Sequence, residues 1–149
     1  MINESIKIRG DLNIVLKDEN GNIKDQREET NLVVNSGLAF ITSRMTDAAD
    51  SVMSHMAVGS DSTAAAAGDT DIGSILGSRE ALDSTTDSAA TITYVASFEA
   101  GDGTGAITEA GIFNASTGGT MLCRVVFSTI NKSVNDTMTV TWTISLSAS

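Results

Sequence analysis

Few side chains in this 149-residue sequence are of the types that perform covalent or metal chemistry, and their spacing decides what they can do. There is one histidine, His55, and one cysteine, Cys123. A histidine works as a general base only where a nucleophile and an orienting partner converge on it. No Ser, Cys or Asp arrangement in Met53-Ser-His-Met-Ala-Val58 defines such a set, so His55 reads as structural. Cys123 lies in Met121-Leu-Cys-Arg-Val-Val-Phe127, in phase with Met121, Val125 and Phe127, where a thiol behaves as a buried, inert hydrophobe. One Cys and one His build neither an internal disulfide framework nor a structural zinc site. Asp69 with Asp71, and Glu99 with Asp102, offer oxygen ligands for a hard cation, but EF-hand spacing is absent and a solvated acidic loop is the simpler reading. Gly101-Asp-Gly-Thr-Gly105 lacks the GK[ST] continuation and the following helix of a phosphate cradle, so it reads as a turn. Arg9-Gly10-Asp11 falls within an alternating strand rather than on a recognition loop. The sequence therefore predicts no catalytic residue, no cofactor, no metal and no enzyme; a small hydrolase is the poorest of the function classes considered.

Charge excludes further classes. The net charge is −10, and 12 of the 28 charged side chains fall within residues 1–30, where five are basic and seven acidic. The remaining residues hold four basic and twelve acidic groups among many Ala, Ser, Thr and Gly. Nucleic acid is disfavoured, because phosphate binding wants a basic patch. The opening MINESIKIRGDL carries charge where a signal peptide needs an apolar run, and no stretch nears the ~18 apolar residues of a membrane span. The expectation is a protein made in a cytosol without a detectable export signal and with no membrane partner.

The elements that would carry these residues are mostly strands. Residues 137–147 alternate without a break, placing Met138, Val140, Trp142, Ile144 and Leu146 on one face and Thr137, Thr139, Thr141, Thr143, Ser145 and Ser147 on the other. A strand face turned only to water normally carries charge. An all-hydroxyl face instead suits close neutral contact, which makes Thr137, Thr139, Thr141 and Thr143 the candidate interface. Trp142 and Phe127 are read as core. Residues 6–16 alternate similarly, with a bulge or bend expected at Gly10. Glu19-Asn20-Gly21-Asn22 predicts a tight primed turn into a strand over 23–34. Asn35-Ser36 is a candidate helix N-cap, and Leu38, Ile41 and Met45 have helical spacing. Residues 47–89 are irregular, with a short strand near 53–58 and a turn or two of helix around Ala64–Ala67, and are expected to be the mobile or partner-adapted region. Strands follow at 91–98, 107–113 and 121–127. One domain spans 1–149: an N-terminal hairpin (1–34), a helix (35–46), an irregular loop region (47–89) and C-terminal strands (90–149). The predicted fold is mainly β, an antiparallel β-sandwich or jelly-roll-like barrel with one short α-helix.

The stretch Ile107-Thr-Glu-Ala-Gly-Ile-Phe-Asn114, continuing through Gly118–Phe127 to Thr139-Val-Thr-Trp-Thr-Ile144, resembles a pattern shared by small virion proteins of tailed bacteriophages. It is also similar to the E-x-G-[IL]-[FY]-[DN] hairpin of phage tail-fibre and tail-collar domains. Gly10–Gly21, Asn31-Leu-Val-Val34 with Gly37, and Met56-Ala-Val-Gly59 agree with the same class. The resemblance implies a structural role: a capsid decoration or cement protein on the head surface, whose partners are the major capsid protein and copies of itself, as a homo-oligomer such as a trimer. The alternative it implies is a tail component, an adaptor or a fibre or collar domain used in host attachment. No catalytic residue comes with it. Glu109, Gly111 and Phe113 become the structural hairpin residues: Glu109 as an acceptor for backbone or turn donors, Gly111 to permit close packing, and Ile112 and Phe113 to pack on opposite sides of the strand.

Overall fold

The computed structural model describes residues 4–46 and 50–148; the parts of the expected segments that fall on 1–3, 47–49 and 149 lie outside the described residues. The elements are β1 (Ile6–Lys17), β2 (Ile23–Val33), α1 (Asn35–Ser43), β3 (His55–Gly59), β4 (Glu80–Ala81), β5 (Ser84–Ser88), β6 (Thr91–Phe98), β7 (Gly105–Phe113), β8 (Met121–Lys132) and β9 (Thr137–Ala148). The nine strands form one ladder in the order β4-β3-β7-β8-β2-β1-β9-β6-β5, with every pairing antiparallel. The fold is mainly β with one helix, and the sheet curls on itself like a sandwich.

β2 makes the corner between the two halves. It pairs with β1 as far as Asn31 opposite Gly10, then with β8 through Leu32 and Val33. Where β2 and β8 diverge, the Arg27 guanidinium spans the gap, donating to the carbonyls of Ser128 at 3.1 Å and Thr129 at 3.2 Å. The far edges of the ladder meet in sequence. Leu82 N–H donates to Ser54 O beside β3, and the next residue, Asp83, donates to Val95 O on β6.

The core fills the space between the halves. Leu12, Ile14, Phe98, Val140 and Trp142 from one half meet Met56, Ile107, Ile112, Val125 and Ile130 from the other, all almost fully buried. A smaller cluster of Val34, Ala57, Ile72, Phe113 and Met121 lies outside the second half, under the segment 60–79. β7 is consequently buried on both faces from Ile107 onward.

Several local expectations change. β1 keeps an unbroken register against β9, so Gly10 is no bulge. It is a close-approach site: a Cβ there would collide with the Asn31 side chain, whose Oδ1 accepts from Trp142 Nε1 at 2.7 Å. The β1–β2 connection is a longer loop rather than a primed two-residue turn. Asp18 organises it by accepting from the N–H groups of Asn20 and Asn22 at 2.9 Å, and Gly21 alone takes a positive φ there. Those two N–H bonds, Asn22 first, hold the Asp18 carboxyl below its ordinary pKa.

The helix begins after Val34 with no side-chain cap; Ser36 instead donates its hydroxyl to Met121 O on β8 at 2.9 Å. Its buried residues are Gly37 and Phe40, while Leu38 and Met45 are exposed, because the short helix lies along β8 by its other face. Residues Ala64–Ala67 form no helix, only a hydrogen-bonded turn from Ala66 to Asp69. Two irregularities in β8, at 127–129 opposite Thr108 and at Leu122, shift the β7–β8 register, and the second sends Met121 to the outer cluster and Cys123 to the main core, so the two do not share a face.

Candidate functional site

The hydroxyl residues of β9 lie on the outward face of the first half, and the register shows what surrounds them. Thr139 stands opposite Ser97, Thr141 opposite Val95, Thr143 opposite Thr93 and Ser145 opposite Thr91 on β6. β5 extends the rows with Ser84, Thr86 and Ser88. Directly paired residues share a face, so β9, β6 and β5 together present a surface of hydroxyls and one valine, with Asp83 at its corner, where the carboxylate accepts from Ser97 Oγ at 2.6 Å. Thr139 is exposed, and Thr137, Thr141 and Thr143 are half-buried. Thr137 pairs with Lys17 at the end of β1, away from the centre of this face.

Neutrality stops at β1. There Thr141 faces Asn13, and Thr143 faces Asp11. On β2 the next neighbours are Glu28 and Thr30. These residues line a shallow groove of about 570 Å³. Asn13 Oδ1, in that groove, is buried without a hydrogen-bond partner among the described residues. Arg9 forks onto its near neighbour Asp11, with Nε 2.9 Å from both carboxylate oxygens. The Arg-Gly-Asp tripeptide is thus a surface ion pair flanking an inward glycine.

The second constellation is buried, and only its hairpin half was legible beforehand. Glu109 on β7 is fully buried, and five donors reach its two oxygens. Oε1 accepts from the N–H of Ser74 at 2.8 Å and of Asp61 at 3.1 Å. Oε2 accepts from Gly73 N–H at 2.9 Å and from Arg124 on β8, Nη2 at 3.0 Å and Nε at 3.1 Å. Arg124, itself buried, reaches Asp69 Oδ2 with Nη1 at 3.0 Å and stands 3.7 Å from Asp61. The carboxylate and guanidinium therefore fasten residues 61–74 onto the hairpin. The neck of that segment is tied by backbone bonds from Ser60 to Ser74 O and from Leu76 to Val58 O, and Asn35 N–H donates to Ala67 O. The region expected to be mobile is a strap pinned at several points.

The rest of the hairpin motif fits the same purpose. Gly111 has no room for a side chain, since a Cβ would lie 2.9 Å from Ile72 Cγ2 and 3.1 Å from Phe113 Cε2. Ile112 enters the main core and Phe113 the outer cluster. Arg79 stacks 3.5 Å from the Phe113 ring centroid and donates to Ala115 O and Gly118 O in the β7–β8 loop. Asn114 closes that loop by accepting from Thr120 N–H at 2.7 Å. Arg124 and Arg79 escaped the sequence reading. A usable signal existed, because Arg124 and Glu109 are opposite charges inside two apolar runs joined by one hairpin.

The remaining chemical candidates are dispersed. Asp69 is engaged by Arg124 and by Ala66 N–H, whereas Asp71 receives Ile72 N–H and faces Arg79 at 3.7 Å. Glu99 serves through its main-chain carbonyl, which accepts from the buried Lys132 ammonium at 2.9 Å. Among the described residues no three His, Cys, Asp or Glu side chains converge as a metal site. Ser54 Oγ lies 2.7 Å from His55 Nδ1, a contact between neighbours in the chain. Cys123 is fully buried, and desolvation pushes its thiol pKa far up. Trp142 is wholly interior. No described helix is long and apolar enough to cross a membrane. No protein-family model, no curated protein and no solved structure matches this chain.

Proposed function

We propose that this protein is a capsid decoration or cement protein of a tailed bacteriophage, which binds the head surface and bridges neighbouring major capsid subunits. The observation that carries the reading is the neutral hydroxyl face spread over β9, β6 and β5 in a chain whose net charge is −10. A partner can cover the rows around Thr141 and Thr143 on β6 and β5, away from Asp83, without desolvating a charge, and desolvation of unpaired charge is the chief electrostatic cost of association. The resemblance of the Glu109–Asn114 hairpin to phage virion proteins supports the same reading. The pinned strap supplies rigidity, so little conformational freedom is lost on binding. Repetition by symmetry then makes many modest contacts stabilise the shell cooperatively.

The test uses purified protein and expanded empty heads. Binding is saturable, and decorated heads withstand heat or chelation better than bare ones, since a ligand that prefers the intact shell shifts the equilibrium toward it. Thr141→Lys places a charge on the β9 row of the face and weakens binding while the domain stays folded. Unchanged binding by Thr141→Lys removes the face from the interface. If particles lacking the protein keep equally robust heads but lose adsorption to host cells, the tail reading replaces this one.

A further inference from the structure

The strand β5 ends the ladder, exposed in every residue and joined only to β6. Both of its ends are held. Asp83 N–H donates to Val95 O at 2.7 Å, and the Asp83 carboxylate accepts from Ser97 Oγ at 2.6 Å. Beyond the turn at the other end, the Ala90 carbonyl accepts from Leu146 N–H at 2.9 Å. A strand fixed in this way presents a row of N–H and C=O groups pointing away from β6, since alternate residues of an antiparallel strand bond to opposite neighbours. Sheet proteins blunt such an edge with Lys, Pro, a bulge or a covering segment. β5 has none of these. It reads Ser-Thr-Thr-Asp-Ser, its register against β6 is unbroken, and among the described residues no hydrogen bond or ion pair reaches the side chains of 84–88. The opposite end of the ladder is closed: β4 covers His55 and Met56 of β3, and residues 75 and 76 cover the rest through the Gly59–Ile75 bridge and the bond from Leu76 N–H to Val58 O.

We infer that β5 is a self-association edge: it pairs antiparallel with β5 of a second copy about a twofold axis through Thr86, joining two nine-strand ladders into one sheet. The residues of the edge select both the occupant and the register. A twofold axis relating two adjacent antiparallel strands stands perpendicular to the sheet, so it must pass beside a residue that pairs with its own copy. With Thr86 at the axis, Ser84 faces Ser88 of the second copy and Thr85 faces Asp87, each pairing occurring twice. A hydroxyl donor then lies opposite an otherwise unpartnered carboxylate on each side of the axis. Moving the axis by one residue ruins the match. Centred on Asp87 it opposes two carboxylates, and centred on Thr85 it brings Asp83 toward Asp87 of the copy. An axis at Ser84 or Ser88 leaves most of β5 unpaired. Only the Thr86 register uses the whole strand, and it forms about four to six backbone hydrogen bonds. Because the axis is perpendicular to the sheet, the outward rows of Ser84, Thr86 and Ser88 lie on the same side in both copies, and the two hydroxyl faces merge into one surface. Pairing of the edges does not require that surface to bind a capsid.

Sedimentation equilibrium of the full chain, without heads, tests this separately from the capsid reading. A five-residue edge is smaller than a standard interface, so the average mass rises from one chain toward two between about 10 μM and 1 mM. Thr85→Asp sets carboxylates opposite one another twice and weakens the dimer about tenfold, and adding Asp87→Lys restores it. Both positions are exposed, and circular dichroism confirms that each variant keeps its β-sheet. Cysteines read the register. Opposed residues have Cα atoms about 4.5–5.5 Å apart, within disulfide reach, so Thr86→Cys cross-links rapidly on oxidation. Ser88→Cys alone, about 14 Å from its own copy, does not, but it does when mixed with Ser84→Cys chains. The native Cys123 is buried and does not compete. A mass of one chain up to about 1 mM leaves the edge to a strand of another protein and overturns the inference. So does a trimer, so does a Thr85→Asp dimer as tight as the parent's, and so does equal cross-linking of Thr86→Cys and Ser88→Cys.

Discussion

Replacing Glu109 by Gln keeps the shape of the side chain and removes one acceptor oxygen together with the charge. The parent carboxylate divides five donors between two oxygens: Ser74 and Asp61 on one, Gly73 and both Arg124 contacts on the other. Glutamine has a single carbonyl oxygen, so its amide nitrogen must face one of these groups whichever way it turns. If it faces Ser74 and Asp61, two backbone N–H groups lose their acceptor, at about 1–3 kcal/mol each. If it faces Gly73 and Arg124, one N–H and a buried guanidinium are left facing a donor, and breaking a buried pair costs about 3–5 kcal/mol. Asp69 still neutralises part of the Arg124 charge, and water can enter as the strap lifts, so the expected loss is near the lower end, about 3 kcal/mol. Against a domain stability of about 5–15 kcal/mol this is large. With a urea slope of about 2 kcal/mol/M it moves the unfolding midpoint down by about 1.5 M. Hydrogen exchange localises the effect, because the amides of Gly73 and Ser74 should exchange about a hundredfold faster while those of β9 slow or speed only with global stability. A midpoint within about 0.3 M of the parent, with unchanged exchange at Gly73 and Ser74, refutes the carboxylate as the fastening of the strap.

Further outcomes follow from other parts of the molecule. Gly10→Ala drives a Cβ into Asn31 and dislodges the acceptor of Trp142 Nε1, at about 1–3 kcal/mol, and is read by urea unfolding and by a shift in tryptophan emission; unchanged emission and midpoint count against it. Cys123 reacts slowly with a thiol reagent in the native protein and rapidly in denaturant, and fast native labelling contradicts its interior placement. Asp136 has its pKa lowered, first by the hydrogen bond from Lys24 Nζ and then by the N–H of Ser133. A depressed folded-state pKa gives stability that is full above the unfolded value of about 3.9 and lost as pH falls through the folded one. Lys24→Met therefore shrinks the loss of stability as pH falls below about 4, and an acid-unfolding curve as steep as the parent's excludes the Lys24 contact as its source.

The strands with an apolar period were legible because burial on one face writes itself into the sequence every second residue, as in β1, β6 and β9. β5 left no such trace: Ser84-Thr-Thr-Asp-Ser88 is exposed throughout and pairs only at the edge of the ladder, so its strand character comes from β6 beside it. The Asn20-Gly21 pair spoke for a tight turn, but Asp18 offers its carboxylate to two backbone N–H groups and makes the longer loop cheaper. The hydroxyl face was visible as a list of residues on β9, whereas the acidic border formed by Asp11 and Glu28 depends on which strands flank it, and strand order has no local signature. The strap was read as loose because its small residues carry no periodicity. What holds it are contacts between Glu109 and residues 35, 36 and 48 positions away.

The pairing of β1 with β9 also settles how the molecule responds to pulling. Ile6 lies opposite Ala148, so the outer ends of these two antiparallel strands leave the sheet side by side. Tension applied between them loads the Ile6–Ala148 pair first, then Lys7–Ser147, then Ile8–Leu146, in the manner of a zipper. A force entering through the outward face of β9 is instead shared by β1 and β6 along the whole register. The molecule is weak when peeled from its ends and strong when gripped by its face.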